Sequence, residues 1–486
     1  MKKVFLSIVI GLATVLLAAC GPTDDRPVLT YAGWNLGTVE QNNIERQMLT
    51  AFQADNPDIR IEVIPRPIQI NEDGTETDIG WFDFFSTRAS TGNLPDVFQV
   101  ADITTWIVQG WLDDVSDLVE DDPDFALVPT DIAHDAKYDE FLFALPQAMF
   151  YYGFFINRTV YEGMSNSQDI EYGISLDDLM TAAKANSMYD FAGEGSGIAG
   201  IDGMNTLIEW LPAQFDDQLD WFTFNADNGY HLDSSAFESA LNKQKEFITT
   251  SFDMNYILNN MNDDDRSAQY GTSDPWLVGK QSVKWAASYN LRDWVAFTKD
   301  ESHPLFGHDI DFIGTPSIEG THKIPIIMDH LGIARGSENR QKAYELAKWM
   351  SFGVDGFNKR IEITKENPVS GAINFAPFTQ DTELIESYFE LYPQMTEFKK
   401  IVETHQFFIR ESLWKTTPGY WTSRANGGYD ETTSMGDMIN GIIEGTVAYA
   451  DVKTNLNARA NFHWNQSKTQ FDQAIINYRN QVANNS

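Results

Sequence analysis

The sequence predicts an α/β protein folded into two large lobes with largely parallel sheets. The chain has 486 residues, of which 42% are apolar, so it is long enough to bury a sizeable core. A prior of about one domain per 150 residues suggests roughly three units, but mixed α/β folds often merge such units into two lobes. Predicted strands alternate with predicted helices, which is the pattern of βαβ units.

Each predicted element depends on a local pattern. Ile44, Met48 and Phe52 lie four residues apart, which predicts a helix that ends before Pro57. Residues 59–63 alternate between apolar and charged side chains, which predicts a half-buried strand. From residue 381 onward the chain is predicted to be helical, apart from a loop near 418–428. The same patterns predict strands over 28–33, 96–100, 141–145, 150–156, 283–287, 310–314 and 331–334, and helices over 82–90, 175–188, 235–248 and 343–350.

The acidic composition narrows the range of functions. The chain has 34 Lys and Arg residues against 71 Asp and Glu residues, which gives a formal net charge of −37. A protein that binds nucleic acid needs a basic face to neutralise phosphates, so that class is excluded. No stretch beyond the N-terminal segment approaches the roughly 20 apolar residues of a membrane span. The rest of the chain is therefore predicted to be soluble.

The N-terminus has the pattern of a secretory signal. Two lysines precede an apolar run over residues 4–17, and small residues then lead to Cys20, the only cysteine in the chain. The run Leu-Ala-Ala-Cys resembles the bacterial lipobox, in which the cysteine receives a diacylglyceryl group. We therefore predict a signal peptide over 1–19 and a lipidated tether over 20–27. The protein is expected on the outer face of the cell membrane, held there by its lipid anchor alone.

Catalytic and cofactor motifs are absent from the sequence. There is no P-loop, no His-Glu-x-x-His zinc motif and no Gly-x-Ser-x-Gly nucleophile elbow. Asp263, Asp264 and Asp265 could attract Ca²⁺, but they lack the glycine and the distal glutamate of an EF-hand, which favours a solvated acidic turn. We therefore predict no metal site, no cofactor and no catalytic residue.

Aromatic side chains beside predicted turns and element ends indicate a binding site. Aromatic residues make up 13% of the chain. A flat ring suits the apolar C–H face of a sugar, while Asp and Asn bind its hydroxyl groups. Any one such ring is more often part of a core, but the set as a whole favours carbohydrate binding: Trp34, Trp81, Trp106, Trp210, Trp276, Tyr289, Trp414, Tyr420 and Trp421.

Short segments spread over nearly the whole mature chain follow an order that is typical of one family. Thr91–Phe98 contains a G-x-x-P-D-V run, and Gly279–Val283 is similar to G-K-x-A-M. The other segments are Leu29–Asn35, Phe52–Val63, Gly110–Asp114, Ala144–Pro146, Tyr151–Asn157, Gly314–Pro316 and Leu331–Ser337. Together they resemble the family 1 extracellular solute-binding proteins, the receptors of bacterial ABC importers related to maltose-binding protein.

The resemblance implies a type II periplasmic-binding-protein-like fold, in which each lobe has a mainly parallel sheet flanked by helices and the ligand lies in the cleft between the lobes. The N-terminal lobe is expected over 28–147 and 317–372, and the C-terminal lobe over 148–316 and 373–486. The implied function is that of a monomeric, non-enzymatic receptor. It would capture a carbohydrate, expected to be an oligosaccharide, and deliver it to the permease subunits of an ABC transporter.

The resemblance and the aromatic pattern together give the expected ligand contacts. They are Trp34, Asn35, Asp102, Phe150, Trp210, Tyr289, Asn290, Asp329, His330 and Trp421. Phe150 stands where the maltose-binding relative has a carboxylate, and no arginine adjoins Asp102. These departures put maltose itself in doubt, while a saccharide remains the expected ligand. Asp96 is expected to be structural, capping the turn before its strand.

A function of another class is left open by the sequence. A lipid-anchored glycan hydrolase could use two of the many carboxylates as acid and base. Two convergent carboxylates about 5 to 10 Å apart would favour hydrolysis. Rings with dispersed hydrogen-bonding groups would favour binding.

Overall fold

The computed structural model describes residues 24–485, except for 66, 71–75, 79, 101–102, 164–168, 188–197, 226, 251, 272, 319, 321, 405 and 410–427. The predictions for the signal peptide, Cys20, Asp102 and Trp421 lie outside the described residues. The strands of the described part are β1 (Val28–Ala32), β2 (Arg60–Ile64), β3 (Ile68–Ile70), β4 (Glu76–Asp78), β5 (Val97–Val100), β6 (Lys137–Tyr138), β7 (Phe141–Leu142), β8 (Leu145–Asn157), β9 (Ala199–Ile201), β10 (Phe224–Asn225), β11 (Gly229–Tyr230), β12 (Gln281–Ala287), β13 (Ile310–Gly314), β14 (Ile324–Ile333) and β15 (Phe407–Ile409).

The helices of the described part flank these strands. They are α1 (Ile44–Asp55), α2 (Trp81–Ser90), α3 (Ile103–Val108), α4 (Ser116–Val119), α5 (Thr130–Ala133), α6 (Arg158–Glu162), α7 (Leu176–Ala185), α8 (Leu207–Trp210), α9 (Pro212–Phe215), α10 (Ser235–Phe247), α11 (Met254–Asn260), α12 (Asp263–Tyr270), α13 (Leu291–Lys299), α14 (Arg340–Met350), α15 (Val354–Glu366), α16 (Thr382–Phe389), α17 (Thr396–Thr404), α18 (Met435–Ile443) and α19 (Tyr449–Asn485). Within this part of the chain, no helix is both long enough and apolar enough to cross a membrane.

One sheet runs through both halves of the molecule, in the order β2-β1-β5-β14-β8-β12-β9. β1 is parallel to β2 and β5, and β12 is parallel to β9. β8 is antiparallel to its neighbours β14, β12 and β13. The sheet is therefore mixed and not mainly parallel as predicted, because the long strands β8 and β14 run through its centre in opposite directions.

β8 belongs to both halves of this sheet. Its residues 145–151 pair with β14, and its residues from 152 onward pair with β12 and β13. The sequence suggested separate strands over 141–145 and 150–156, but the second of these is part of one strand that starts at Leu145. The strand stays unbroken because it exchanges one partner for another without losing its hydrogen bonds.

Most helical patterns in the sequence are confirmed. The segment predicted to be helical from residue 381 onward, however, also contains the strand β15, which pairs with β14. Ile44, Met48 and Phe52 are buried on one side of α1, which begins at the capping residue Asn43. The acidic run Asp263–Asp265 forms the first turn of α12. Negative charges are favourable at this end of a helix. Among the described residues, no group of three or more His, Cys, Asp or Glu side chains could hold a metal ion.

The last helix, α19, packs against both halves of the molecule. Leu456, Ala460 and Trp464 lie in the apolar cluster of the second half. Further along, the Phe471 ring meets the Tyr138 ring of β6 edge to face at 4.7 Å, and the Tyr478 ring meets the Phe141 ring of β7 edge to face at 5.1 Å. The C-terminal part of this helix therefore contacts the N-terminal lobe, although the sequence analysis assigned the whole segment 373–486 to the C-terminal lobe.

Candidate functional site

The carboxyl ends of strands from both halves of the sheet converge on the middle of β8. Val100, the last residue of β5, lies opposite His330 of β14, which in turn pairs with Pro146 of β8. From the other half, Ala287 at the end of β12 lies opposite Tyr152. Ligands of open α/β sheets bind outside the carboxyl ends of the strands. This geometry places the candidate site on either side of the middle of β8.

Trp34 follows β1 in a short 3-10 turn and is partly buried. Its backbone N–H donates to Gln99 Oε1 at 2.6 Å, and Gln99 Nε2 donates to Gln147 Oε1 at 2.6 Å. Asn43 Nδ2 donates to the backbone carbonyl of Asn35, also at 2.6 Å. The turn that carries Trp34 and Asn35 is thus attached to β5 and to the start of α1.

Asp329 and His330 are neighbours on β14 but have different surroundings. Asp329 lies opposite Ala148 and is partly exposed. His330 is 5% exposed, and its Nε2 lies 3.3 Å from Asp135 Oδ2. His330 is therefore enclosed with Asp135, which differs from the expectation that it faces the cleft.

Tyr289 presents an exposed ring just beyond the end of β12. It lies in a 3-10 turn that Asn290 closes by donating from Nδ2 to the Ala287 carbonyl at 3.1 Å. Tyr289 is 44% exposed, whereas Phe150 is 5% exposed. The Phe150 ring meets the Tyr289 ring edge to face at 5.6 Å, and Tyr152 lies 6.4 Å from the same ring. Phe150 therefore supports Tyr289 from β8 and offers little surface of its own.

Trp210 lies in the core, which corrects its expected role as a ligand contact. Its side chain is 0% exposed, and its Nε1 donates to Thr206 Oγ1 at 3.2 Å. The ring stacks on Trp285, with centroids 5.5 Å apart and 14° between the planes. Trp285 is partly exposed, and its ring lies 6.5 Å from Tyr152. Trp285 is therefore the member of this stacked pair with surface available for a ligand.

Sequence reasoning missed a charged group at the end of β9. Asp202 directly follows that strand, and its Oδ1 accepts the backbone N–H of Trp285 at 2.5 Å. Lys284 Nζ lies 3.3 Å from Asp202 Oδ2 and 3.1 Å from Asp274 Oδ2. Burial raises the pKa of Asp202, and Lys284 opposes the rise. A carboxylate that directly follows a strand could have indicated this group. However, β9 has only three residues, too few for an apolar pattern to identify it as a strand.

Asp96 has the structural role that the sequence predicts. Its Oδ2 accepts the backbone N–H and the hydroxyl of Thr30, at 2.8 and 2.7 Å. Its Oδ1 accepts the Ser337 hydroxyl at 2.6 Å. Asp96 therefore joins the start of β5 to β1 and to the turn after β14, at the end of the sheet opposite to Trp34.

The sequence places this architecture in a known family. Residues 38–351 match the profile of the family described as bacterial extracellular solute-binding protein. The chain belongs to this family. No curated protein matches the sequence of this solute-binding protein. The family is extracellular by description, and its members are solute-binding proteins.

Solved structures of low sequence identity share the fold of this solute-binding protein. An ABC substrate-binding protein from Listeria monocytogenes, in complex with cycloalternan, is 15% identical with a TM-score of 0.61, covering 90% of this chain and 98% of that chain. A sugar transporter protein from Rhizobium etli in an open conformation is 12% identical with a TM-score of 0.64, covering 89% and 99%. The sugar-binding protein MalE from Xanthomonas citri is 13% identical with a TM-score of 0.59, covering 92% and 99%. These similarities confirm the two-lobed periplasmic-binding-protein fold.

Proposed function

We propose that this solute-binding protein captures an oligosaccharide between its lobes and delivers it unchanged to the permease of an ABC importer. The proposal rests on the exposed ring of Tyr289, which is 44% accessible just beyond the end of β12. Rings suit the apolar faces of sugars. Asp329 on β14 is partly exposed and offers a carboxylate for sugar hydroxyls.

Related structures support a sugar ligand and a closing cleft. The Listeria monocytogenes protein is described in complex with cycloalternan, and the Rhizobium etli protein is described as a sugar transporter in an open conformation. Hinge closure of two lobes around a ligand needs large changes at only a few residues. We infer that closure brings the Trp34 turn and Tyr289 together on the sugar, and that the permease recognises the closed form.

A thermal-shift panel of mono- and oligosaccharides tests the proposal. A ligand at 100 times its Kd should stabilise the protein by about 2.7 kcal/mol, which gives a measurable rise in Tm. We expect oligosaccharides to stabilise the protein more than monosaccharides, because rings on both sides of β8 can contact more than one sugar unit. Calorimetry then gives the affinity of the best ligand. Failure of every saccharide, with stabilisation by amino acids or peptides instead, would contradict a carbohydrate ligand.

The same ligand separates a receptor from a hydrolase. We expect purified protein to return the sugar intact after hours of incubation, as measured by chromatography. Asp202 already accepts the Trp285 N–H and pairs with Lys284, so its carboxylate is engaged in the fold. Shortened products that disappear on a single Asp or Glu substitution would support the hydrolase.

Attachment through Cys20 is part of the proposed function. Cys20→Ser should abolish incorporation of labelled fatty acid and release the protein, or its precursor, from lipid labelling. Saccharide affinity of the purified soluble domain should stay unchanged, because Cys20 is not among the expected ligand contacts. Continued labelling of the Ser variant would show that the anchor is elsewhere.

A further inference from the structure

We propose that Gln99 is the positioning residue of the ligand site. It fixes the direction in which Trp34 leaves β1 by accepting its backbone N–H, and it links that N–H to Gln147 on β8. The inference depends on the proposed function, because Trp34 matters for affinity only if it contacts the ligand. Gln99 itself is 2% exposed and cannot make that contact. Its role is to act through Trp34.

The side-chain amide of Gln99 is engaged at both ends. Oε1 accepts the backbone N–H of Trp34, and Nε2 donates to Gln147 Oε1, both at 2.6 Å. The turn that follows β1 is thus joined through two side-chain amides to β5 and β8. A planar amide held at both ends fixes the orientation of the N–H that it binds.

A β-bulge turns Gln147 into this network. Asp329 of β14 pairs with Ala148, but the next residue, His330, pairs with Pro146. Gln147 is therefore the extra residue of β8, without a partner on β14. Bulges redirect side chains and often adjoin functional sites. The bulge lies in the part of β8 on which the strand ends of both lobes converge.

Gly33 makes room for this contact. A Cβ at Gly33 would lie 2.6 Å from Gln99 Oε1 and 3.2 Å from its Cδ. The backbone of Gly33 is extended, with φ −163°, which any residue can adopt. A Cβ at position 33 would therefore displace the Gln99 amide from its place beside Trp34, although the backbone conformation itself suits any residue.

A purely structural role explains these features less well. β5 reads Val-Phe-Gln-Val, and every residue of the strand is buried. An apolar side chain at position 99 would avoid the cost of burying an amide. A polar residue at position 99 is explained if the Trp34 turn must hold one orientation, because a buried polar network specifies geometry when every member is satisfied. On the same strand, three residues after Gln147, Phe150 supports the Tyr289 ring.

A double-mutant cycle with the best saccharide ligand tests the role of Gln99. We expect Gln99→Leu to weaken binding about tenfold, whereas in a Trp34→Ala background it should change affinity less than about twofold. Gly33→Ala, which displaces Gln99 without removing it, should resemble Gln99→Leu. Gln99→Glu keeps an acceptor for the Trp34 N–H, and Gln147 can turn its amide to donate to it. This variant should retain affinity within about threefold of the parent even though burial of a charge lowers its Tm.

A measurement without ligand separates failure of this inference from failure of the proposed function. In protein labelled with ¹⁵N-tryptophan, the Trp34 amide is identified by its loss in Trp34→Phe. Its hydrogen exchange should be at least about tenfold faster in Gln99→Leu than in the parent, and remain slow in Gln99→Glu. Unchanged exchange overturns the inference, as does an equal loss of affinity from Gln99→Leu in both backgrounds. If exchange responds as expected but no saccharide binds the parent, Gln99 still fixes Trp34 and the carbohydrate assignment is what fails.

Discussion

At the scale of single residues, exposure separates aromatic rings that share the same sequence context. Trp210 and Tyr289 both lie beside element ends, and the sequence favoured both as ligand contacts. In the structure Trp210 is 0% exposed beneath Trp285, and Tyr289 is 44% exposed. Their substitutions should therefore affect different properties of the protein.

Tyr289→Ala should weaken saccharide binding about 10- to 150-fold, because loss of a ring buried by the ligand removes about 1.5 to 3 kcal/mol. The Tm of the free protein should change little, since nearly half of the ring is already in water. Trp210→Ala is the matched control and should lower the free energy of unfolding by about 3 to 5 kcal/mol. Calorimetry measures the saccharide affinity of both variants, and thermal unfolding measures the stability of both. Normal affinity in Tyr289→Ala would remove this ring from the site.

A buried carboxyl gives the protein a pH-dependent stability. Asp253 precedes α11, is 1% exposed, and accepts the Tyr256 N–H on Oδ1 at 2.9 Å. Burial raises the pKa of Asp253 from 3.8 to about 7, backbone hydrogen bonds oppose the rise, and the nearby Asp202 carboxylate adds to it. Between about pH 4 and 7 the folded protein retains a proton that the unfolded chain has released. The contribution of Asp253 to the free energy of unfolding therefore falls as pH rises through this window.

Asp253→Asn should remove this dependence while keeping the helix cap. Relative to the parent protein, the Asn variant should gain more than about 1 kcal/mol in the free energy of unfolding between pH 4.5 and 8, since one pKa unit corresponds to about 1.4 kcal/mol. Urea unfolding at both pH values measures the difference. The exposed Asp263→Asn, at the start of α12, is the control and should show no comparable change. A constant offset between Asp253→Asn and the parent at both pH values would contradict the raised pKa.

At the scale of helices and strands, the sequence predicted individual elements better than it predicted which strands pair with each other. The apolar spacing of Ile44, Met48 and Phe52 predicts α1 correctly, because a helix is a local structure that its own side chains determine. The continuity of β8 could not be predicted, because it depends on β14 and β12, which lie far away in the chain. The bulge at Gln147 could not be predicted for the same reason, because it depends on the pairing of β8 with β14. Local patterns do not reveal which distant strand will be the partner.

The candidate site was predictable only in part for the same reason. Trp34 and Tyr289 each follow a strand, so their position at a strand end could be inferred from sequence. Gln99 lies inside a buried strand, and Trp285 lies inside β12, where an aromatic residue suggests packing. Their place at the site follows from the register of neighbouring strands, which a single sequence does not give.

At the scale of the whole molecule, α19 connects parts that the chain order separates. Asn461 Oδ1 accepts the Tyr230 N–H at 2.9 Å on β11, in the second half of the molecule. Further along the same helix, the Tyr478 hydroxyl accepts the Asp114 N–H at 3.0 Å. The segment Tyr449–Asn485 contains no proline or glycine, the usual causes of a sharp kink. A stiff helix docked on both lobes should therefore contribute to the stability of each.

Two neighbouring isoleucines of α19 test whether its C-terminal part is packed on the N-terminal lobe. Ile475 is 1% exposed within the larger apolar cluster, and Ile476 is 47% exposed. Ile475→Ala should lower the free energy of unfolding by about 2 to 5 kcal/mol, because it leaves a cavity against that lobe. Ile476→Ala removes the same atoms from a solvated position and should cost less than about 0.5 kcal/mol. Both losses are measured by urea unfolding of the unliganded protein. Equal and small losses at positions 475 and 476 would contradict the burial of Ile475 and the packing of this part of α19.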